Sequence, residues 1–174
     1  QIAERFNNIY GDVFTIPEAY IGKKGAKIMS LQEPGKKMSK SDTNANATIL
    51  LLDDTDTIIR KFKRAVTDSE SEVRYAEEKP GISNLMDIYS AVTGKTYEEI
   101  EKEFAGKGYG DFKLAVGETV ADHLKPLQER YEQLMKDKAY IESMIKQNDE
   151  KAAYYANKTL RKVQKKVGLT ERIR

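Results

Sequence analysis

The segment KPGISNLMDIYSAVTG, residues 79–94, decides the fold class of this chain. Its apolar side chains recur every three or four residues and would line one face of an α-helix: Leu85, Ile88, Tyr89 and Val92. Ser83 is a good N-cap for this helix because it follows a turn at Pro80 and Gly81, and Gly94 is a natural stop. The segment therefore predicts a helix from about Ser83 to Gly94.

Helical patterns continue on both sides of this segment. Asp53 or Asp54 can cap a helix with an inner stripe of Ile58, Ile59, Phe62 and Val66, and Thr96 with Glu99 forms a capping box. The glycines of residues 106–110 are predicted to connect helices, because they lack the spacing of a dinucleotide fingerprint. The remaining apolar stripes predict four more helices. The first ends at Gly11, and the second starts at about Asp111 and is kinked or restarted by Pro126. The third lies around Ile141, Met144 and Ile145, and the last runs from about Asp149 to Val167.

Two short segments near the start have strand character, Val13–Ile16 and Lys27–Leu31. We therefore predict a mainly α fold in two parts, a short α/β part over residues 1–45 and a helical part over residues 46–174. The chain begins at Gln1, within what reads as the second half of a helix. We expect it to be a C-terminal piece of a longer protein.

The composition excludes several kinds of site. The chain has no cysteine and a single histidine, His123, which we interpret as a structural or surface residue, so we predict no metal site. Its longest apolar run, Ile49–Leu52, is far too short to span a membrane, and these features together predict a cytoplasmic protein. The net charge of +2 means that any contact with nucleic acid must use a local basic face.

The segment Lys37-Met38-Ser39-Lys40-Ser41 has the chemistry of a phosphate-binding loop. Lys36, Lys37 and Lys40 can place ammonium groups near phosphate oxygens, and serine hydroxyls and loop N–H groups can add hydrogen bonds. A mobile loop can also close over a nucleotide. Composition alone leaves an alternative open, which is an exposed basic loop or a serine modification site.

The pentapeptide 37–41 matches letter for letter the second signature of the class I aminoacyl-tRNA synthetases. Its surroundings resemble the bacterial tryptophanyl-tRNA synthetase family: residues 25–31 with Pro34, 36–42, 52–54, 65–70, 79–85 and 106–110. The resemblance covers most of the chain, in order, and is weakest after about residue 138. It implies that residues 1–45 are the end of a Rossmann-like catalytic domain and that residues 46–174 are a helical domain of the anticodon-binding type.

The resemblance also implies a reaction and its partners. Such an enzyme joins L-tryptophan to ATP, accompanied by Mg²⁺, to give tryptophanyl adenylate and pyrophosphate, and then transfers the tryptophanyl group to tRNA(Trp). No tightly bound cofactor is expected. Family members resemble homodimers, and we expect the dimer contacts to lie largely upstream of this chain. The first signature and the indole pocket also lie upstream in the family, so we predict that this chain alone does not activate tryptophan.

Residue by residue, the resemblance assigns catalytic roles to Lys37 and Lys40, which would stabilise charge moving onto pyrophosphate. Ser39 and Ser41 would hold phosphate oxygens, while Met38 and Ile28 would lie near the adenine.

The most basic segment is the predicted last helix. Its candidate tRNA-binding residues are Lys158, Arg161, Lys162 and Lys165, in a run of cations that also includes Lys151, Lys166, Arg172 and Arg174. Tyr154 and Tyr155 are interleaved with them as stacking partners for bases. The alternative is an amphipathic helix with a solvated lysine face and half-buried tyrosines, whose last-turn lysines suit the helix dipole.

Two rival functions stay open at this stage. One is a tyrosyl-tRNA synthetase, which shares the signature, although residues 28–42 favour the tryptophanyl enzyme. The other is a stand-alone helical module that binds RNA or protein, with the basic loop serving only as a contact.

Overall fold

The computed structural model describes residues 1–22 and 27–169, and most of them are helical. The helices are α1 (Ile2–Tyr10), α2 (Thr55–Lys63), α3 (Pro80–Thr93), α4 (Tyr97–Glu103), α5 (Tyr109–Met135) and α6 (Lys138–Val167), with a 3-10 turn at Ala45–Ala47. This confirms the predicted mainly α fold class.

The chain divides into two compact units, one from described residues of Gln1–Tyr20 and Gln133–Arg174, the other from described residues of Ile21–Glu132. The predicted domain boundary after residue 45 stays a prediction. None of the helices that the structure describes combines the length and apolarity needed to cross a membrane. The same described ranges contain no group of three or more histidine, cysteine or carboxylate side chains placed to hold a metal ion.

The unit within Ile21–Glu132 has a continuous apolar core between α2, α3, α4 and α5. Its most deeply buried side chains are Leu31, Ile58, Phe62, Ile82, Leu85, Met86, Ile100, Phe112 and Val116. Tyr89, Phe104 and Phe112 pack edge to face, with ring centroids 4.8–5.8 Å apart. Gly117 of α5 lets α2 approach closely, because a Cβ there would lie 3.0 Å from the Cα of Ile59.

Helix α3 begins three residues before the predicted N-cap. Pro80 occupies its first turn, where the missing N–H costs nothing, and Lys79 is the N-cap residue. Ser83 is therefore inside the helix, and the N-cap prediction for it was wrong. Its hydroxyl donates to the carbonyl of Ala76 and accepts from the Ala76 N–H, so it holds the preceding loop onto the helix. The predicted end at Gly94 is confirmed by its left-handed backbone.

A buried lysine holds the loop before α3 in place. Lys79 is 1% exposed, and its ammonium group donates to the Tyr109 hydroxyl at 2.9 Å, lies 3.4 Å from Asp68 Oδ1 and pairs with Glu70. The hydrogen bond with Glu70 is the main cause that raises the pKa of Lys79. Burial would raise the pKa of Asp68, but hydrogen bonds, first that from Tyr109, hold it below its usual value.

The capping predictions for the neighbouring helices are confirmed. Asp54, rather than Asp53, caps α2 by accepting the Thr57 N–H at 2.7 Å. Thr96 and Glu99 form the complete capping box of α4. Gly106, with φ of 76°, and Gly108 lie in the connection between α4 and α5, as predicted, but Gly110 lies in the first turn of α5, so the prediction for it was wrong.

Of the two C-terminal helices, α5 has about the predicted length and α6 is longer than predicted. Helix α5 continues through Pro126, so the predicted restart at this proline does not occur. Helix α6 runs unbroken from Lys138, where the Asp137 side chain caps it, and the predicted separate start at Asp149 was wrong. No glycine or proline interrupts Lys138–Val167, so nothing ends the helix before Gly168.

The first predicted helix is confirmed as α1, with Gly11 after its last turn. The strand predicted at Val13–Ile16 does not form. Instead, the Asn7 side chain forms hydrogen bonds with the backbone of this segment. It accepts from the N–H groups of Val13 and Phe14 and donates to the Phe14 carbonyl. A side chain that satisfies these groups removes the need for a partner strand.

Candidate functional site

The signature loop, residues 37–41, begins at the end of a short antiparallel pairing. Residues 28–30 lie against residues 36–38, with a bridge between Met29 and Lys37. Two backbone hydrogen bonds of 2.8 and 3.0 Å flank this bridge. The predicted strand Lys27–Leu31 is thus reduced to one bridge. This bridge anchors the start of the signature loop, at Lys37, to the folded unit.

The rest of the loop is a tight, polar turn. The Asp42 N–H donates to the Ser39 carbonyl at 3.2 Å, and the hydroxyls of Ser39 and Ser41 are 3.0 Å apart. The side chains of Lys37, Ser39, Lys40 and Ser41 are exposed. Two ammonium groups and two hydroxyls therefore share one short, solvent-exposed turn, which is a donor set suited to phosphate oxygens.

The two residues predicted near the adenine lie at the base of the loop. Ile28 and Met38 are partly buried and pack against the apolar core of their unit. The Met38 N–H donates to the Ile28 carbonyl at 3.0 Å, so the two residues belong to the same backbone pairing. Their contact with adenine stays a prediction.

Lys36 differs from the two lysines that follow it. Its ammonium group pairs with the Glu33 carboxylate one turn earlier. The hydrogen bond with Glu33 is the main cause that raises the pKa of Lys36. Lys36 therefore has an anionic partner within the described residues, while the phosphate contacts of Lys37 and Lys40 stay predictions.

Asn84, which the sequence analysis did not single out, supports the other side of this pairing. It lies on α3 and is 3% exposed. Its Oδ1 accepts from the Met29 N–H at 2.8 Å, and its Nδ2 donates to the Met29 carbonyl at 2.9 Å. The amide thus acts as a substitute strand and holds residues 28–30 from the side opposite the signature loop. The sequence offered one signal for Asn84: it is a polar amide on the predicted helix, directly before the apolar residue Leu85, and a buried amide at such a position needs hydrogen-bond partners.

The candidate tRNA-binding residues share one face of α6. Lys158, Arg161, Lys162 and Lys165 follow the i, i+3, i+4, i+7 spacing, and all four are exposed. Tyr154 and Tyr155 are 64% and 67% exposed, so the half-buried position predicted by the structural alternative was wrong. A shallow depression of about 400 Å³ is lined by Tyr154, Asn157, Lys158 and Arg161.

Four residues of the sequence predictions lie outside the described residues. These are Gly25 and Ala26, from the segment that resembles the synthetase family, and Arg172 and Arg174, from the basic C-terminal run. His123 lies on α5 and is exposed, which confirms the surface interpretation.

The sequence comparisons agree with the resemblance. The family described as tRNA synthetases class I (W and Y) matches residues 1–125. A tryptophan–tRNA ligase of Clostridium tetani is 52% identical over 167 residues, which are 96% of this chain and 49% of the relative. A tryptophan–tRNA ligase of Listeria monocytogenes is 52% identical over 97% of this chain and 51% of the relative. The chain therefore spans about half the length of the curated relatives it matches.

Solved structures give the same assignment. Tryptophanyl-tRNA synthetase from Mycoplasma pneumoniae matches with a TM-score of 0.86 and 27% identity, over 97% of this chain and 51% of that one. The enzyme from Campylobacter jejuni complexed with ADP and tryptophan matches with a TM-score of 0.64 and the same identity and coverage. The chain therefore belongs to the family of class I tRNA synthetases for W and Y.

Proposed function

We propose that the full-length protein carrying this chain is a tryptophan–tRNA ligase, to which this chain contributes one half of the ATP site and a tRNA-binding helix. The observation that carries the proposal is the signature loop, with Lys37 and Lys40 exposed on a turn held to the folded unit. The high identity to tryptophan–tRNA ligases supports the choice of amino acid. The Campylobacter jejuni structure, complexed with ADP and tryptophan, supports the choice of ligands.

In the first step, a carboxylate oxygen of tryptophan attacks the α-phosphorus of ATP. The bond from that phosphorus to the bridging oxygen breaks, and pyrophosphate leaves with the electron pair. Lys37 and Lys40 stabilise the negative charge that develops on the leaving group, while the Ser39 and Ser41 hydroxyls donate to phosphate oxygens. No protein nucleophile is needed, because catalysis comes from positioning and electrostatics. Mg²⁺ enters with ATP as the substrate complex.

The adenine end of ATP lies at the base of the loop in this proposal. Ile28 and Met38 are partly buried there and offer apolar surface and backbone groups to the base. In the second step the tryptophanyl group passes to the terminal ribose of tRNA(Trp). The full-length protein acts as a cytoplasmic homodimer.

The isolated 174-residue chain is expected to show no tryptophan-dependent exchange between ATP and pyrophosphate. The reason is that its Lys37–Ser41 loop would supply only the pyrophosphate side of the reaction, whereas the family resemblance implies that the tryptophan pocket lies upstream of this chain. The measurement is isotope exchange with the chain alone and with the full-length protein, each with tryptophan or with tyrosine. Robust exchange by the isolated chain would refute this prediction. Exchange that depends on tyrosine instead of tryptophan would favour the tyrosyl alternative.

The basic face of α6 is proposed to contact tRNA phosphates, with Tyr154 available for base stacking. Each lysine that neutralises a phosphate releases a counterion, so its contribution depends on salt. Exposed aromatic rings stack on unpaired bases with little sequence preference. The exposure of Lys158, Lys162 and Lys165 beside Tyr154 supports this role over a purely structural helix.

Reversing the charge at Lys162 and Lys165 with glutamate is expected to weaken tRNA binding by the full-length enzyme about tenfold or more at low salt. The slope of log Kd against log salt should fall by about 1–2, because up to two phosphate contacts are lost. The matched control is Lys102→Glu, on α4 in the other unit, which should leave both quantities nearly unchanged. If the double variant keeps the wild-type affinity and slope, α6 is not a tRNA site.

A further inference from the structure

Thr48 links the signature loop to the folded unit through a single side-chain hydroxyl. It follows the 3-10 turn Ala45–Ala47 and is 9% exposed. Its Oγ1 donates a 2.7 Å hydrogen bond to the carbonyl oxygen of Ser39. The Ser39 carbonyl and the Lys40 N–H belong to the same planar peptide group. The hydroxyl therefore fixes the backbone from which the Lys40 side chain projects.

Thr48 is itself held by a buried lysine of α2. The ammonium group of Lys61, which is 6% exposed, donates to the Thr48 carbonyl at 2.9 Å and lies 2.5 Å from Asp53 Oδ2. A buried ammonium group is stable only when its partners stay in place, because leaving it unpaired is costly. Thr48 thus has its carbonyl tied to α2 and its hydroxyl tied to the loop.

Among the described residues, the other hydrogen bonds that shape this turn come from inside it. The Asp42 N–H reaches the Ser39 carbonyl at 3.2 Å, and the Ser41 N–H reaches the Ser39 hydroxyl at 3.4 Å. Such bonds define the shape of the turn but move with it. The shorter bond from Thr48 instead fixes the turn relative to α2.

We propose that Thr48 is a positioning residue for tryptophan activation, and that it acts by holding the Ser39–Lys40 peptide where the Lys40 ammonium group meets the departing pyrophosphate. This proposal rests on the proposed function of the loop. An ammonium group that is placed in advance stabilises developing charge without reorganisation, so a small loss of order lowers the rate more than it weakens binding.

The test is Thr48→Val in the full-length enzyme, since valine keeps the shape of the side chain and removes the hydroxyl. The kcat of tryptophan-dependent ATP–pyrophosphate exchange should fall about five- to tenfold, with the KM for tryptophan within about twofold of wild type. Thr48→Ser keeps a hydroxyl and should restore kcat to within about twofold. The matched control is Thr93→Val, which removes a hydroxyl that donates at the same 2.7 Å to a carbonyl of α3; its kcat should stay at the wild-type value.

A double-mutant cycle with Lys40→Ala separates positioning from general support of the fold. If Thr48 acts through Lys40, Thr48→Val should cost less than about twofold in the Lys40→Ala background. The positioning role alone would be overturned if Thr48→Val lowered kcat by the same factor in both backgrounds. An unchanged or raised kcat for Thr48→Val in an active enzyme would overturn it as well. A wild-type enzyme without tryptophan-dependent exchange would overturn the proposed function, and this proposal with it.

Discussion

Replacing Lys40 with alanine in the full-length enzyme is expected to lower the rate of tryptophan activation by on the order of 10²–10³. This is the loss typical of removing one preorganised electrostatic contact from a transition state. Lys40 is exposed on a turn held by Ser39 and Asp42, so its removal should leave the fold intact. The measurement is the single-turnover rate of adenylate formation at saturating ATP and tryptophan, with the melting temperature as a check on folding.

Lys36→Ala is the matched control for this prediction. Lys36 lies four residues earlier and carries the same charge, but its ammonium group is already paired with Glu33. Its replacement should therefore change the activation rate by less than about threefold. An effect below about threefold for Lys40→Ala as well would rule out the role proposed for Lys40 in stabilising the leaving pyrophosphate.

Replacing Gly81 with alanine is expected to lower the free energy of unfolding by about 2–3 kcal/mol. A Cβ at this position would lie 2.3 Å from the carbonyl oxygen of Val66 and 3.0 Å from the Cα of Thr67. Both atoms are backbone, so no side-chain rotation can relieve the clash. The Val66 N–H donates to the Leu31 carbonyl at 2.7 Å, so the displacement would also reach the segment that pairs with the signature loop. Urea unfolding followed by circular dichroism measures the change.

Gly110→Ala is the control for Gly81→Ala. Gly110 also lies in the first turn of a helix, α5, but apart from its own helical turn a Cβ there would meet no atom of the described residues within 4 Å. Alanine should leave the stability unchanged or raise it by up to about 1 kcal/mol, because it restricts the unfolded chain more than glycine does. If both variants unfold at the same urea concentration, the close approach of α3 to residues 66–67 has no energetic consequence.

Local signals in the sequence predicted helix ends well where the capping group lies within a few residues. The capping box of Thr96 and Glu99, the stop at Gly94 and the cap at Asp54 all formed as expected. The N-cap prediction for Ser83 was wrong because Pro80 could start the helix earlier, and because the loop before α3 gave the Ser83 hydroxyl another partner, the Ala76 carbonyl. A good N-cap residue does not show by itself whether its hydroxyl is needed elsewhere.

The sequence by itself determined the helical class, the stops at Gly11, Gly94 and Gly168, and the identity of the signature residues Lys37–Ser41. These features are local: they depend on the apolar periodicity, the backbone conformation of single glycines and the chemistry of residues that are close together along the chain. Only the tertiary structure decided what holds the signature loop. Asn84 reaches Met29 across 55 positions, and Lys61 of α2 holds Thr48, which lies in the connection before that helix. Such contacts join groups that are distant in sequence, so they exist only once α2 and α3 have packed around the same core.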